Sequence, residues 1–481
     1  MLFNSIDFAV FLPIVFGLYW LLNKNLKLQN VLIVVSSYVF YGWWDWKFLS
    51  LIIFSTAVDF IIGLKLQNEN DEHKRKYYLW LSILTNIGIL MFFKYFNFFA
   101  DNFVEAFSFL GADIPKTSLN IILPVGISFY TFQTLSYTID IYRKKLTPTT
   151  DFVAFAAFVS FFPQLVAGPI ERAINLLPQF HKSRNFNYEE AVDGMRQILW
   201  GLFKKVVIAD NCAEYVNLIF DSHSTSSGSV LAVGAVFFTF QIYGDFSGYS
   251  DIAIGTSRLF GFNLQQNFNF PFFSRDIAEF WRRWHISLST WFRDYLYIPL
   301  GGSRGSKFLS LRNTFIIFLV SGFWHGANWT FIFWGFLNAI YFLPLLLLRR
   351  NRKNLDTVAQ QSCFPNMKEI AAMLLTFSLT VFAFIFFRAE SISQGFEYVS
   401  EMFSQSLFSV PAFPKFHTFV ILLCLISFFI LQEWLGRFDK YAIEKTISKA
   451  PGVFRWGYYL MLFSSLFLLG GSEQEFIYFQ F

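Results

Sequence analysis

From Asn313 to Leu348 the chain carries no Asp, Glu, Lys or Arg, and a single histidine, His325, interrupts this run. As one straight helix it would extend about 54 Å at about 1.5 Å per residue, well past a hydrocarbon core of about 30 Å. The run must therefore break. Gly322, Gly326 and Asn328 are the natural places, and all lie in SGFWHGANWTFIFWG around His325. An ionisable side chain at membrane depth is costly and points to function. Imidazole is also the side chain best suited to take up a proton near neutral pH. The competing reading is a buried histidine bonded to a neighbouring carbonyl, and the residues alone leave both open.

A second histidine lies in residues 275–297, where charged and aromatic residues mix. Ile277, Phe280, Trp281, Trp284, Leu288, Trp291, Phe292 and Tyr295 recur at helical spacing. Asp276, Glu279, Arg282, Arg283, Arg293 and Asp294 take most of the other face. The pattern predicts one amphipathic helix at the interface or along a wet cavity. His285 falls on its aromatic face, four residues after Trp281, and could be an interfacial histidine or a second site residue. A third cluster is QIYGDFSGYSDIAIGTSRLFGF at 241–262. Asp245 and Asp251 are its buried carboxylates, expected to pair with arginines or backbone donors. They read either as close helix packing around one ion pair or as a substrate-tunnel wall. His73, His181, His223 and His417 lie in polar loops or at span edges and receive no role.

Other chemistries find little support. Gly301-Gly302-Ser303-Arg304-Gly305 fits G-x-S-x-G but lacks a strand-turn-helix context, so it reads as a loop. No HExxH, CxxC or phosphate-binding glycine loop occurs. Two histidines forty residues apart without spaced carboxylates give no basis for a metal site. Cys212, Cys363 and Cys424 are too few and too scattered for a disulfide framework. Asn328-Trp329-Thr330 matches a glycosylation acceptor but lies in an apolar run.

The elements that must position these residues are membrane helices. Hydrophobic residues make up 55% of the chain and charged residues 15%, and mean hydropathy is +0.44. A soluble domain has about 25% charged residues. In lipid the backbone must satisfy its own polar groups, which leaves helices or closed barrels. The continuous apolar runs, about one helix span long, choose helices over alternating barrel strands. Spans are expected near 6–22, 30–44, 48–66, 78–99, 119–141, 151–168, 191–208, 229–260, 311–327, 329–348, 369–388, 417–435 and 456–470. The short 30–44 segment and the proline-containing 151–168 segment, broken or tilted, depart from the pattern. Some of these are re-entrant or interfacial, and the opening segment reads as a retained span, not a signal peptide. No linker divides the chain, so 1–481 reads as one membrane domain. The net charge of +5 is spread over clusters including Lys74–Lys76, Arg143–Lys145, Lys204-Lys205 and Arg349–Lys353. These read as topology determinants and lipid-headgroup contacts. Without a compact basic domain, no nucleic-acid partner is expected.

FWRRWHISLSTWFRDYLYIPLGG together with FWHGANWTFIFWG resembles the membrane-bound O-acyltransferase (MBOAT) superfamily, and most of all its bacterial polysaccharide branch, the alginate O-acetyltransferase type. FNSIDFAVFLPIVFGLYW, LPVGISFYTFQTLSYTIDIYR, FFPQLVAGPIER, YGDFSGYSDIAIG and FIYFQF extend the likeness from residue 3 to 481. The resemblance implies an all-α polytopic fold of about a dozen transmembrane or re-entrant helices with an interfacial amphipathic helix. It implies that His325 is the catalytic base and His285 the second polar position of the active site. The donor would be acetyl-CoA or another acyl thioester, on coenzyme A or an acyl carrier, with no cofactor bound. The acceptor would be an extracellular or periplasmic polysaccharide, reached directly or through a periplasmic acetyltransferase partner, and the location the bacterial inner membrane. Trp324, Asn328, Asp245, Asp251, Trp281, Arg282 and Arg283 are the expected tunnel or supporting residues, with Arg304 and Lys307 further candidates for donor phosphates. The alternative from another class is a transporter or flippase of lipid or polysaccharide precursors, using Asp245, Asp251 and broken helices.

Overall fold

The computed structural model describes residues 1–109, 115, 119–166, 168–413, 415–447 and 450–479. Among these no strand occurs, and six helical stretches are long and apolar enough to cross a membrane. They fall at Leu26–Asn68, Glu72–Phe109, Gly228–Leu259, Trp329–Leu347, Met367–Arg388 and Phe416–Leu435, with shorter apolar helices at Ile6–Leu21 and Phe152–Leu165. The chain is an all-α, multi-pass membrane protein. Its described residues form two compact units, 1–194 with 256–265, and 195–255 with 266–481.

In the first unit, Ile6–Leu21 shows why these helices need lipid. Ile6, Val10, Ile14, Leu18 and Leu21 are exposed along one stripe, whereas Phe8, Phe11, Val15 and Tyr19 are buried. Such a stripe would be an aggregation surface in water and is an ordinary lipid-facing surface in a bilayer. The short 30–44 span is in fact the full helix Leu26–Asp45. Extended backbone at Asp45 and a single 3₁₀ turn separate it from Leu49–Asn68. The 119–141 span is helical only from Ile127, and 151–168 breaks at Phe161 between Phe152–Ser160 and Phe162–Leu165. Buried polar groups join Leu49–Asn68, Glu72–Leu90 and Ile127–Tyr142. Asp59 accepts from Ser82 Oγ at 2.5 Å, Asn86 Nδ2 at 2.8 Å and Thr138 Oγ1 at 3.1 Å. Hydrogen bonds of this kind hold helices together where lipid supplies no hydrophobic drive.

In the second unit the uncharged run breaks where its length requires. The helix Lys307–His325 ends on the histidine, and Gly326 leaves it in extended backbone. Asn328 then caps Trp329–Leu347, its side chain accepting from Thr330 N at 3.0 Å. The two helices pack as a tight hairpin. A Cβ on Gly322 would fall on the carbonyl oxygen of Phe331, and one on Gly335 on that of Phe318. These glycines permit close backbone approach, a known device of membrane helices.

The predicted single amphipathic helix over 275–297 is instead two short ones, Ile277–Arg283 and Ile286–Phe292, followed by a wide turn at Arg293–Tyr297. The break is at His285, whose φ of 42° lies in the left-handed region. Nor does its charged face point wholly to solvent, because Glu279 is 1% exposed. The Lys204-Lys205 pair, read from sequence as a surface cluster, lies buried in the widened turn Phe203–Ala209 that links Tyr188–Leu202 to Asp210–Asp221. Gly301–Gly305 is a run of turns with positive φ at Gly301, Gly302 and Gly305, in keeping with a loop.

Gly335→Ala should lower the thermal midpoint of the detergent-purified protein, with overpacking costing about 1–3 kcal/mol. Gly457→Ala, where nothing lies within 4 Å of the added carbon, should leave it unchanged. Equal midpoints for the two variants would contradict the tight hairpin.

Candidate active site

The two histidines come together around shared aromatic neighbours. His325 is 3% and His285 1% exposed. Trp324, predicted as a tunnel residue, has its ring 5.9 Å from that of His285 and 4.9 Å from that of His325. Tyr478 also touches both, at 6.3 Å and 5.7 Å. Trp334 and Phe387 pack on the other sides of His325 at 5.1 Å and 5.2 Å. Phe246 stands edge-on to His285 at 4.6 Å. Neither ring nitrogen of His285 has a hydrogen-bond partner among the described residues. Buried polar groups are rarely left so, which marks this imidazole as one built to meet something else.

A cavity of about 570 Å³ is lined by neighbours of this cluster and by neither histidine itself. Its inner wall includes Trp281, Phe318 and Ser321. Ser321 lies one turn before His325 on the same helix face. Trp281 packs 5.7 Å from Trp334, which itself contacts His325, and its indole N–H donates to Asn338 at 3.2 Å. The rim is cationic, with Arg293, Lys307, Arg349 and Arg352. The cavity therefore combines a largely apolar lining with charged residues that are all cationic.

The other predicted residues stand apart from the histidines. Asn328 shapes the break, donating to Glu390 O at 2.9 Å besides its capping bond. Arg282 donates to Asn351 O at 2.8 Å and Asn354 O at 2.6 Å. Arg283 pairs with Glu279 at 2.9 Å, and Arg275 meets the same carboxylate at 3.1 Å. Arg275 also binds Asp356, and its hydrogen bond holds that carboxyl below its usual pKa. These contacts tie the 350–358 loop to the helix that leads into His285. Arg304 does not line the cavity, whereas Lys307 does.

Asp245 and Asp251 pair with lysines, not with the expected arginines, because Lys204 and Lys205 are carried inward by the widened turn. Asp251 meets Lys204 at 2.6 Å and accepts from Gln197 at 2.7 Å. Asp245 meets Lys205 at 2.8 Å, and its expected backbone donor is Ile477 N at 2.6 Å. Sequence reasoning missed Lys204, Lys205 and Tyr478. The one available signal for the lysines was apolar sequence on both sides, in WGLFKKVVIA. Nothing local marks Tyr478.

Residues 143–386, which contain both histidines, match the model of the membrane-bound O-acyltransferase family. A probable alginate O-acetylase of Pseudomonas aeruginosa is 37% identical over 446 residues, covering 91% of this chain and 83% of its own length. The chain belongs to the membrane-bound O-acyltransferase family. As a member it is an O-acyltransferase, and the transporter alternative gives way to that assignment. A peptidoglycan O-acetyltransferase of Helicobacter pylori is 36% identical over 432 residues, 84% of this chain and 80% of its own. A teichoic acid D-alanyltransferase of Bacillus subtilis is 28% identical over 281 residues, 56% and 69% of the two chains.

Glu279→Ala would leave the buried Arg283 without its carboxylate while Arg275 keeps Asp356 and Glu369, and the thermal midpoint should fall by the equivalent of about 3–5 kcal/mol. A midpoint within the error of the unaltered protein would show that Glu279 does not hold this cluster.

Proposed function

We propose that this acyltransferase moves an acetyl group from a cytoplasmic thioester to a hydroxyl on the outer side of the membrane, bound for an alginate-type polysaccharide, with His325 as general base. The observation that carries the reading is the pairing of two buried imidazoles around shared aromatic neighbours, beside a cavity whose lining is largely apolar and whose charged residues are all cationic. Such a shape suits a phosphopantetheine arm, whose thioester end is slender and uncharged and whose other end bears phosphate. Arg349 and Arg352 belong to a basic loop of the kind that faces the cytoplasm. From Lys307 the helix runs 19 residues to His325. That is about 28 Å, close to a full hydrocarbon thickness. A donor entering at the mouth would thus meet an acceptor presented from the opposite face. The names of the relatives favour a cell-surface polymer as acceptor and acetyl as the group, and a periplasmic acetyltransferase partner would complete delivery.

In the proposed reaction, His325 takes the proton of the acceptor hydroxyl as its oxygen attacks the thioester carbonyl. The carbon–sulfur bond then breaks, and the imidazolium returns the proton to the leaving thiolate. The products are an ester and a free thiol, with no net proton taken up. General base catalysis of this kind contributes about 10²–10⁴ in rate, and confinement beside Trp324 and Trp334 adds orientation. His285, with both nitrogens uncommitted, would hydrogen-bond the donor carbonyl as negative charge builds on its oxygen.

His325→Ala should reduce acetyl transfer from acetyl-CoA by about 10²-fold or more while donor binding persists. Full transfer by that variant would remove His325 from the mechanism. Lys307→Ala with Arg352→Ala should instead raise the donor KM with little change in kcat, the pattern of a lost binding contact. An unchanged KM would take the basic rim out of donor recognition.

A further inference from the structure

We propose that Lys205 is a positioning residue that docks the strap 469–479 and so holds Tyr478 between His285 and His325. The inference rests on the catalytic reading of those histidines and adds to it a structural dependence on a lysine placed in a different element.

Lys205 is 1% exposed. Its ammonium meets Asp210 and Asp245 at 2.8 Å each and donates to the carbonyl oxygen of Gln474 at 2.9 Å. Asp245 in turn accepts from Ile477 N at 2.6 Å, so one ion triad grips the strap at two points just before Tyr478. Further bonds align its earlier part with the same helix turn. Asn211 Nδ2 donates to Leu469 O at 2.8 Å, Gly471 N to Val206 O at 3.1 Å, and Ser472 Oγ to Glu214 at 2.8 Å. At Gly471 a Cβ would stand 2.7 Å from Asn211 N, so the backbone lies flush against that turn. The strap then delivers Tyr478 to ring contact with Phe246, Trp324 and both imidazoles. A buried ammonium and two carboxylates are costly to desolvate and are a strong constraint once paired. Here that constraint falls on a segment with little other regular structure, one wall of the space between the histidines.

Two variants lift the strap by different means. Lys205→Met combined with Asp210→Asn removes the ammonium while reducing the charge left behind, and Gly471→Val wedges the backbone away from the Asp210–Asn211 turn while leaving every charge of the triad in place. Each should lower kcat for acetyl transfer, by on the order of 10²-fold for a displacement of about 1 Å, with the acetyl-CoA KM within about twofold because the donor cavity is not altered. Combining them should cost no more than the worse one alone, since both act through the strap. Lys205→Arg should restore most of the rate. If the charge variant does not fold, Gly471→Val decides alone. Full kcat in a folded strap variant, or losses that simply add, would overturn the proposal. Retained activity in His325→Ala would instead overturn the catalytic reading beneath it, so the two failures are separable.

Discussion

The thickness of the hydrocarbon core is the constraint on which the site depends. An uncharged run too long for one crossing cannot remain a single helix. It folds at Gly326 into two helices held close by Gly322 and Gly335, whose missing side chains let the backbones nearly touch. A histidine placed at that fold is buried yet next to a chain reversal, where the helix no longer occupies its own C-terminal backbone groups. An ionisable residue in mid-helix would face lipid or a packed neighbour. At a break it can face an enclosed space. The 277–292 segment repeats the device on a smaller scale, with His285 at a left-handed kink between two short helices.

Buried charge organises what surrounds the break. Several buried ionic groups in the second unit are matched with opposite ones: Glu279 with Arg275 and Arg283, Asp251 with Lys204, and Asp210 and Asp245 with Lys205. Such pairs give little net stability but are expensive to break. They therefore act less as glue than as registration points, fixing the loop that frames the cavity mouth and the strap that carries Tyr478. The aromatic side chains then fill the space around the histidines with rigid rings.

The relatives named for alginate, peptidoglycan and teichoic acid acylation are all enzymes of a cell-surface polymer. The matched stretch, 143–386, holds the two histidines and the residues that line the cavity.

Much of this was legible in the sequence. Composition and apolar run length require membrane helices because the bilayer acts on every residue locally. The same arithmetic required a break near Gly322, Gly326 or Asn328, of which the structure takes Gly326–Asn328, and the family pattern singled out His325 and His285. What the sequence could not decide depends on contacts between distant residues. Periodicity suggested one amphipathic helix at 275–297, but packing around His285 imposes a kink that a local pattern cannot encode. Lys204 and Lys205 looked like surface charge until a widened turn carried them inward to Asp251 and Asp245. Tyr478 reaches the histidines on a strap whose Ile477 binds Asp245, 232 residues earlier in the chain. Solvent preference is a property of each segment by itself, whereas the pairing of buried charges is a property of the folded chain, and only the tertiary structure could assign it.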